Sequence, residues 1–264
     1  MQSRVLLWVA APLLVWSALA PPLGAVRLGV PLWPLAAPLL FSAGFAVLVR
    51  AVRAATTAAS VVGFLICFIL AQSPEIWARY SSYPKPSLPM MALVAVFALT
   101  FAATRFGRSK KESRGLSESR RGRQASQIVA NLGVAALFAA AGRYEGSIAA
   151  LAEAAADTIS SEVGQAAGGR ANLLTDGRSV PAGTDGGVTI VGTLAGLAAA
   201  VVVAAIGGAN QGIWHKTSIW LGACVGLFFD SLLGATAERR GWIGNDLVNC
   251  SSTLVAALIA SALS

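Results

Sequence analysis

ADTISSEVG, residues 156–164, holds two carboxylates, Asp157 and Glu162, and three hydroxyls, Thr158, Ser160 and Ser161, in an otherwise apolar neighbourhood. On a helix Asp157 and Ser161 share a face, with Glu153 one turn earlier. Another acid, Asp230, precedes Ser231, and Asn245 and Asn249 lie four apart near the end of the chain. Asn131 interrupts a further apolar stretch. Between these points runs VGQAAGGRANLLTDGRSVPAGTDGG, residues 163–187, with seven glycines. Amides freed by glycine and aimed by a helix start make an anion site suited to phosphate. Arg170 and Arg178 add positive charge with bidentate geometry for phosphate oxygens. Mg²⁺ is usually held by one or two carboxylates together with substrate phosphates. Phosphoryl transfer is the chemistry that uses all these parts. In that reading Asp157 and Asp230 hold Mg²⁺, and Arg178 with the amides around Gly183, Thr184, Gly186 and Gly187 grips phosphates. Ser161, Ser231, Asn131, Asn245 and Asn249 then orient polar partners. No GxxxxGK[ST] loop is present, nor a Ser-His-Asp or Cys-His set for acyl chemistry.

The elements that must position these groups are set by the solvent the chain lives in. Hydrophobic residues make up 56% of the chain and charged residues 12%, against roughly 25% charged in soluble domains. Segments 5–20, 28–49, 54–71, 87–104, 124–142, 188–214 and 247–264 carry no charge. Most approach the roughly 17–25 residues of a spanning helix. Segments 146–162 and 217–237 have similar length but carry acids. The expectation is an all-α, polytopic transmembrane helical bundle of about nine spans. It divides into a four-span region (1–104), a basic loop (105–124) and a helical region carrying the polar motifs (125–264). The start also fits a signal peptide, with Arg4, an apolar run and Ala18-Leu19-Ala20, but a retained first helix is preferred. Cys67, Cys224 and Cys250 sit singly in apolar stretches and read as small hydrophobes. His215 reads as a satisfied or solvated residue at a helix end.

The net charge of +8 is concentrated in 105–124, where Arg105, Arg108, Lys110, Lys111, Arg114, Arg120, Arg121 and Arg123 face only Glu112 and Glu118. Between membrane spans such a run obeys the positive-inside rule and touches anionic lipid headgroups; it is not a nucleic-acid site. Fixing it in the cytoplasm places Arg4, Arg50 and Arg53 inside and 72–88 outside. ADTISSEVG, 163–187, Asp230 and Asn245–Asn249 then all reach the cytoplasmic face, with the chain in a cell inner membrane. Gly222, Gly226, Asp230 and Gly234 form a stripe of spacing four, and Gly192 and Gly196 a GxxxG pair. Small residues at that spacing bring helix backbones together, which carries Asp230 into the bundle. A carboxylate at mid-membrane costs roughly 2.5–3.5 kcal/mol, so it implies function, although bonding to Asn and Ser as helix glue is the plainer alternative.

ADTISSEVG, RSVPAGTDGGV at 178–188, DSLLGA at 230–235 and Asn245 through Asn249 occur in an order that resembles a membrane family. It is the family that includes transmembrane protein 19 and the plastid phytyl-phosphate kinase of vitamin E synthesis. The resemblance covers about residues 120–264; the first four spans match in character only. It implies transfer of a phosphoryl group from a nucleoside triphosphate, such as CTP, to an isoprenyl monophosphate, giving the diphosphate. It also implies Asp157, Glu162, Asp230 and Asn249 as site positions, the first three catalytic. The chain departs from the family pattern at Ala171, where proline is expected, and at Asp185, where serine is common. The isoprenyl tail is expected between the glycine-faced helices. Two other readings use similar parts: a lipid-phosphate cytidylyltransferase, which releases pyrophosphate, and a transporter, whose carboxylates gather near the midplane. A structural membrane protein is the remaining one.

Overall fold

A computed structural model describes residues 1–72, 87–116 and 122–264. Most of the expected outer segment 72–88, and residues 117–121 of the basic run with Glu118, Arg120 and Arg121, lie outside the described residues. The apolar stretches become helices: α1 (Gln2–Arg27), α2 (Ala36–Ala51), α3 (Thr57–Ala71) and α4 (Leu88–Arg105). A short α5 (Arg108–Ser113) leads to α6 (Ala125–Ala140) and α7 (Tyr144–Ala167). The last three are α8 (Ile190–Gly207), α9 (Ile213–Leu233) and α10 (Asn245–Leu263). Side chains set several starts: Thr56, Ser87 and Thr189 each accept from an amide three residues on, and Gln124 with Gln127 forms a capping box.

Six of these helices, α2 counted with the 3-10 turn Trp33–Leu35 that leads into it, are long and apolar enough to cross a membrane, among the described residues, against the nine spans expected. The difference has two causes. The α3 and α6 helices have 15 and 16 residues, short of a full crossing. The 24-residue α7 is alanine-rich and acidic, and it is buried inside the bundle against α4, α6, α8, α9 and α10. Its alanines at 149, 150, 152, 155 and 156 are fully buried, which lets neighbouring backbones approach closely. Lipid-type exposure falls instead on α1 and α2, where Trp8, Trp16, Leu40 and Val47 are uncovered.

The segment 163–187 is not the single glycine-rich loop expected. The α7 helix runs to Ala167, and a three-stranded antiparallel sheet of order β2-β1-β3 follows: β1 (Arg170–Leu173), β2 (Ser179–Pro181) and β3 (Gly187–Val188). Gly168, at φ 74°, ends the helix, and β1 then alternates exposed and buried residues. Ala171, the first departure from the family pattern, is one of the buried pair and opposes Val180. Among the described residues the fold is therefore almost all-α with one small sheet.

Contacts sort the connections onto two ends of the bundle. At one end Arg114 donates to the carbonyl of Gln165 at 3.0 Å, and Gly107 and Gly183 abut Ala166 and Leu116. At that end Gly186 also packs on Ala235, and Gln2 bonds the carbonyl of Trp242 and the amide of Gly244. At the other, His215 Nδ1 lies 3.3 Å from Glu145 Oε1, and Trp214 donates to the Leu263 carbonyl. The 105–116, 163–187 and 238–244 segments thus share one end. Single cysteines at Ser113, Thr175 and Arg240, in a background without Cys67, Cys224 and Cys250, are expected to react with an impermeant maleimide from one side of the membrane. Opposite labelling of 113 and 175 would contradict this arrangement.

Candidate active site

A cavity of about 310 Å³ opens at that end, between α6, α7, α9, α10 and the turn that precedes β3. It collects nearly every polar group expected from the sequence. Asp157, Ser161 and Glu162 reach it from α7, Asp230 and Ser231 from α9, Asn131 from α6, and Asn245 and Asn249 from α10. Gly183, Thr184, Gly186 and Gly187 form its rim. These elements meet because glycines remove what would hold them apart. A Cβ at Gly226 would stand 2.6 Å from Glu153 Cγ and 2.8 Å from the Ser252 carbonyl, so α9 lies directly on α7 and α10. Gly192 and Gly196 likewise sit against the Ser160 and Ala156 carbonyls of α7. Gly186, at φ 69°, lies against the backbone of Ala235, where a side chain would both strain the turn and collide. The glycine faces are filled by neighbouring helices, so the isoprenyl tail expected between them has no space there.

Within the cavity the acids have unlike partners. Ser252 Oγ lies 3.1 Å from Asp230 Oδ2 and 3.0 Å from the Asn249 carbonyl, two acceptors for one proton. Asp230 and Asp157 are close enough to repel, and the guanidinium charge of Arg123 acts on Asp157. Glu153, one turn deeper, is 1% exposed, and its Oε1 has no hydrogen-bond partner among the described residues. Glu162 is ion-paired with Lys111, itself 1% exposed. The Lys111 ammonium also donates to the carbonyls of Ala103 and Thr104 at 3.3 and 2.9 Å, closing the end of α4. Glu162 therefore meets the cavity as half of a buried ion pair rather than as a free acid. Asn249 donates to Asn131 across α10 and α6 at 3.4 Å, and Ser231 donates to its own helix at the Leu227 carbonyl.

Arg178 is not part of this group. It lies in the β1–β2 turn, exposed, and pairs with Asp176 at 2.6 Å. That hydrogen bonding holds the Asp176 carboxyl below its ordinary value. The reason is conformational: Gly177, at φ 67°, closes a turn that directs residues 174–178 to solvent, while the next turn returns to the cavity. Water screens an exposed pair, which therefore contributes little, so Arg178→Ala is expected to leave stability unchanged and to shift the apparent KM for a triphosphate by no more than about twofold. A large rise in that KM would return Arg178 to the site. The rim amides also differ from expectation. Those of Thr184 and Gly187 are used within the turn, bonding the Pro181 and Thr184 carbonyls. The amides of Gly183, Asp185 and Gly186 have no such partner among the described residues.

Residues 40–257 match the model of a family described as integral membrane protein DUF92. The chain belongs to that family. An uncharacterized membrane protein of Synechocystis sp. is 34% identical over 187 residues, 64% of this chain and 71% of the relative. One of Methanocaldococcus jannaschii is 32% identical over 180 residues, 64% of this chain and 74% of the relative. The chloroplast protein VTE6 of Arabidopsis thaliana is 27% identical over 222 residues, 77% of this chain and 65% of the relative. No solved structure matches the chain. The DUF92 match and the VTE6 relative bear out the resemblance drawn from the ordered motifs. The match extends from α2 to α10, so it takes in the whole cavity.

Several cavity residues were not singled out from the sequence, Arg123, Glu238 and Gln127 among them. Arg123, which donates to Thr158 at 3.3 Å, was one of many cations in the basic run. Glu238 arrives through a π-helical turn, Gly234–Glu238, continuing α9; such turns cluster at functional sites but leave little trace in sequence. Gln127 lines the cavity one turn before Asn131, and its position after the basic run was the available signal.

Proposed function

We propose that this protein is a membrane phosphotransferase that moves a phosphoryl group from a nucleoside triphosphate, CTP by family resemblance, to an isoprenyl monophosphate. A phosphate oxygen of the lipid attacks the terminal phosphorus of the triphosphate; that P–O bond forms as the bond to the nucleoside diphosphate breaks. The products are the isoprenyl diphosphate and the nucleoside diphosphate. The reading rests chiefly on one observation: Asp157, Asp230 and the glycine turn at 183–187 line a single cavity at one end of the bundle. A transporter would place such groups near the membrane midplane.

The charge of the cavity supports Mg²⁺. Asp157, Glu162, Asp185, Asp230 and Glu238 line it, and Arg123 is the one lining cation among the described residues. A triphosphate would meet strong repulsion there without a counter-cation. Among the described residues no group of three or more His, Cys, Asp or Glu is arranged to hold a metal by itself. That suits Mg²⁺, which completes its shell with water and substrate phosphates. Asp157 and Asp230 would hold it, and when bound it neutralises charge on the phosphates. The amides of Gly183, Asp185 and Gly186, without a partner among the described residues, would receive phosphate oxygens, while the Asn131–Asn249 pair fixes the spacing of α6 and α10 behind them. By the basic run, the site would face the cytoplasm.

The test is to incubate the purified protein with Mg²⁺, each nucleoside triphosphate and a panel of isoprenyl monophosphates, and to weigh the products. Gain of one phosphoryl group by the lipid is the expected result. A lipid–nucleotide adduct with pyrophosphate would make the enzyme a nucleotidyltransferase, and no product on any lipid would end the proposal.

A further inference from the structure

A larger cavity, of about 630 Å³, lies on the other side of Arg123 and Asn131, which line both chambers. Its walls come from α2, α3, α4 and α6 and are mostly apolar, with Phe45 and Phe97 meeting edge to face at 5.1 Å between ring centroids. Its collar is basic. Arg53, Arg105, Arg108 and Arg123 line it against Glu112 alone among the described lining residues. Glu112 bonds Arg108 at 3.0 Å, and Arg105 lies over the Phe101 ring at 3.5 Å. Charge thus reverses across the shared wall: acids line the smaller chamber and arginines the larger.

Arg123 is held at that wall by its backbone. Its amide donates to the Ala54 carbonyl and its carbonyl accepts from the Thr56 amide, both at 3.0 Å, in a parallel bridge with Ala55. Gly122, at φ 79°, makes the approach possible, since a Cβ there would come within 2.7 Å of the Arg53 carbonyl oxygen and of Ala54 and Ala55 backbone atoms. The residue is therefore tied to the α2–α3 connection while its guanidinium reaches Thr158 on α7.

An apolar chamber with an arginine collar fits an amphiphile with an anionic head, and its volume is within the roughly 300–1,000 Å³ of small-molecule sites. We infer that this chamber is the lipid-phosphate subsite. The single apolar chain of an isoprenyl monophosphate lies among α2, α3, α4 and α6, and its phosphate meets Arg123, facing the acidic chamber across Asn131. This inference rests on the phosphotransferase reading for the identity of the lipid. It commits to a single-chain lipid, because one chamber of this size does not admit the two chains of a membrane phospholipid. It also gives the two phosphate-bearing substrates separate chambers of opposite charge, so that neither occupies the other's place.

The test reads binding without turnover. The purified full-length protein, in detergent and without nucleotide or Mg²⁺, is photolabelled with a prenyl monophosphate carrying a diazirine at the end of its chain, and labelled peptides are mapped. Saturable labelling of α2, α3 and α4 is expected, competed by unlabelled prenyl monophosphate about tenfold better than by the corresponding alcohol. Gly63 lines the chamber with nothing among the described residues within 4 Å of a Cβ position, so Gly63→Leu adds bulk there without disturbing the helix. It should reduce labelling by a long-chain probe about tenfold more than by a short one. Arg123→Gln should erase the preference for phosphate over alcohol. Labelling confined to α8–α10, unchanged labelling in Gly63→Leu, or competition by phosphatidic acid equal to that by prenyl monophosphate would overturn the inference. Chamber labelling with no phosphoryl transfer to any lipid would keep the subsite and sink the kinase reading; transfer with labelling elsewhere would do the reverse.

Discussion

Asp157→Asn and Asp230→Asn are each expected to leave a folded, membrane-inserted protein whose phosphoryl transfer falls by about a hundredfold or more. Asparagine keeps the shape of aspartate and an accepting oxygen. Ser252, 3.1 Å from Asp230 Oδ2, can still donate to an amide carbonyl at that position. What the substitutions remove is charge. If the acids serve only to glue α7, α9 and α10 together, that loss is harmless or even favourable, because two carboxylates near each other repel. If they hold Mg²⁺ between them and the triphosphate, the loss removes metal affinity along with turnover. The discriminating measurement is turnover against Mg²⁺ concentration for the wild type and both variants. Weakened Mg²⁺ dependence with low turnover supports the metal role. Near-normal turnover at limiting Mg²⁺ in either variant would make that aspartate a packing residue. Glu153, buried one turn below, is not a substitute ligand on the cavity wall, so it should not rescue either variant.

The convergence of polar groups was legible because it follows from counting. Helices alternate direction, so acids at the ends of 146–162 and 217–237 and at the start of 247–264 reach one end of the bundle. Cavity lining by Asp157, Asp230, Asn131, Asn245 and Asn249 agrees with that count. Glycine spacing also translated directly: Gly222, 2.5 Å in Cβ from the Ala256 carbonyl, and Gly226 lie where α9 meets its neighbours. The same spacing misled about the lipid, since a small-residue stripe is filled by another helix before it is left open for a ligand. Arg178 misled for a different reason. Whether a cation in a glycine-rich segment faces a site depends on turn geometry, and the hairpin at 173–178 directs it outward. Arg123 was hidden by its company. A run of eight cations is explained as a whole by topology, and only the pairing of its last member with Ala54 and Thr158 separates it from the rest. The count of nine spans is not confirmed by length and hydropathy, since α7 has the length of a span but carries Glu145, Glu153, Asp157 and Glu162.

Lys111→Met is expected to be strongly destabilising. Lys111 is 1% exposed, and its ammonium bonds Glu162 and the last carbonyls of α4. A methionine fits the volume of the lysine stem but leaves Glu162 as a buried charge without a partner. Breaking a buried pair by removing one member costs about 3–5 kcal/mol, which should appear as a marked fall in apparent Tm in detergent and in yield. The double substitution Lys111→Met with Glu162→Gln removes both charges, and replacing a whole buried pair is often close to neutral. It should recover most of the lost Tm, less the contribution of the two α4 carbonyls that lose their donor. Turnover of the double variant then decides what Glu162 does. The ion pair already occupies its carboxylate, so recovered stability should bring recovered phosphoryl transfer, with Glu162 holding α7 against the α4–α5 corner rather than taking part in the chemistry. Restored Tm with transfer still abolished would instead place the Glu162 carboxylate among the groups acting on substrate, as the family resemblance implies.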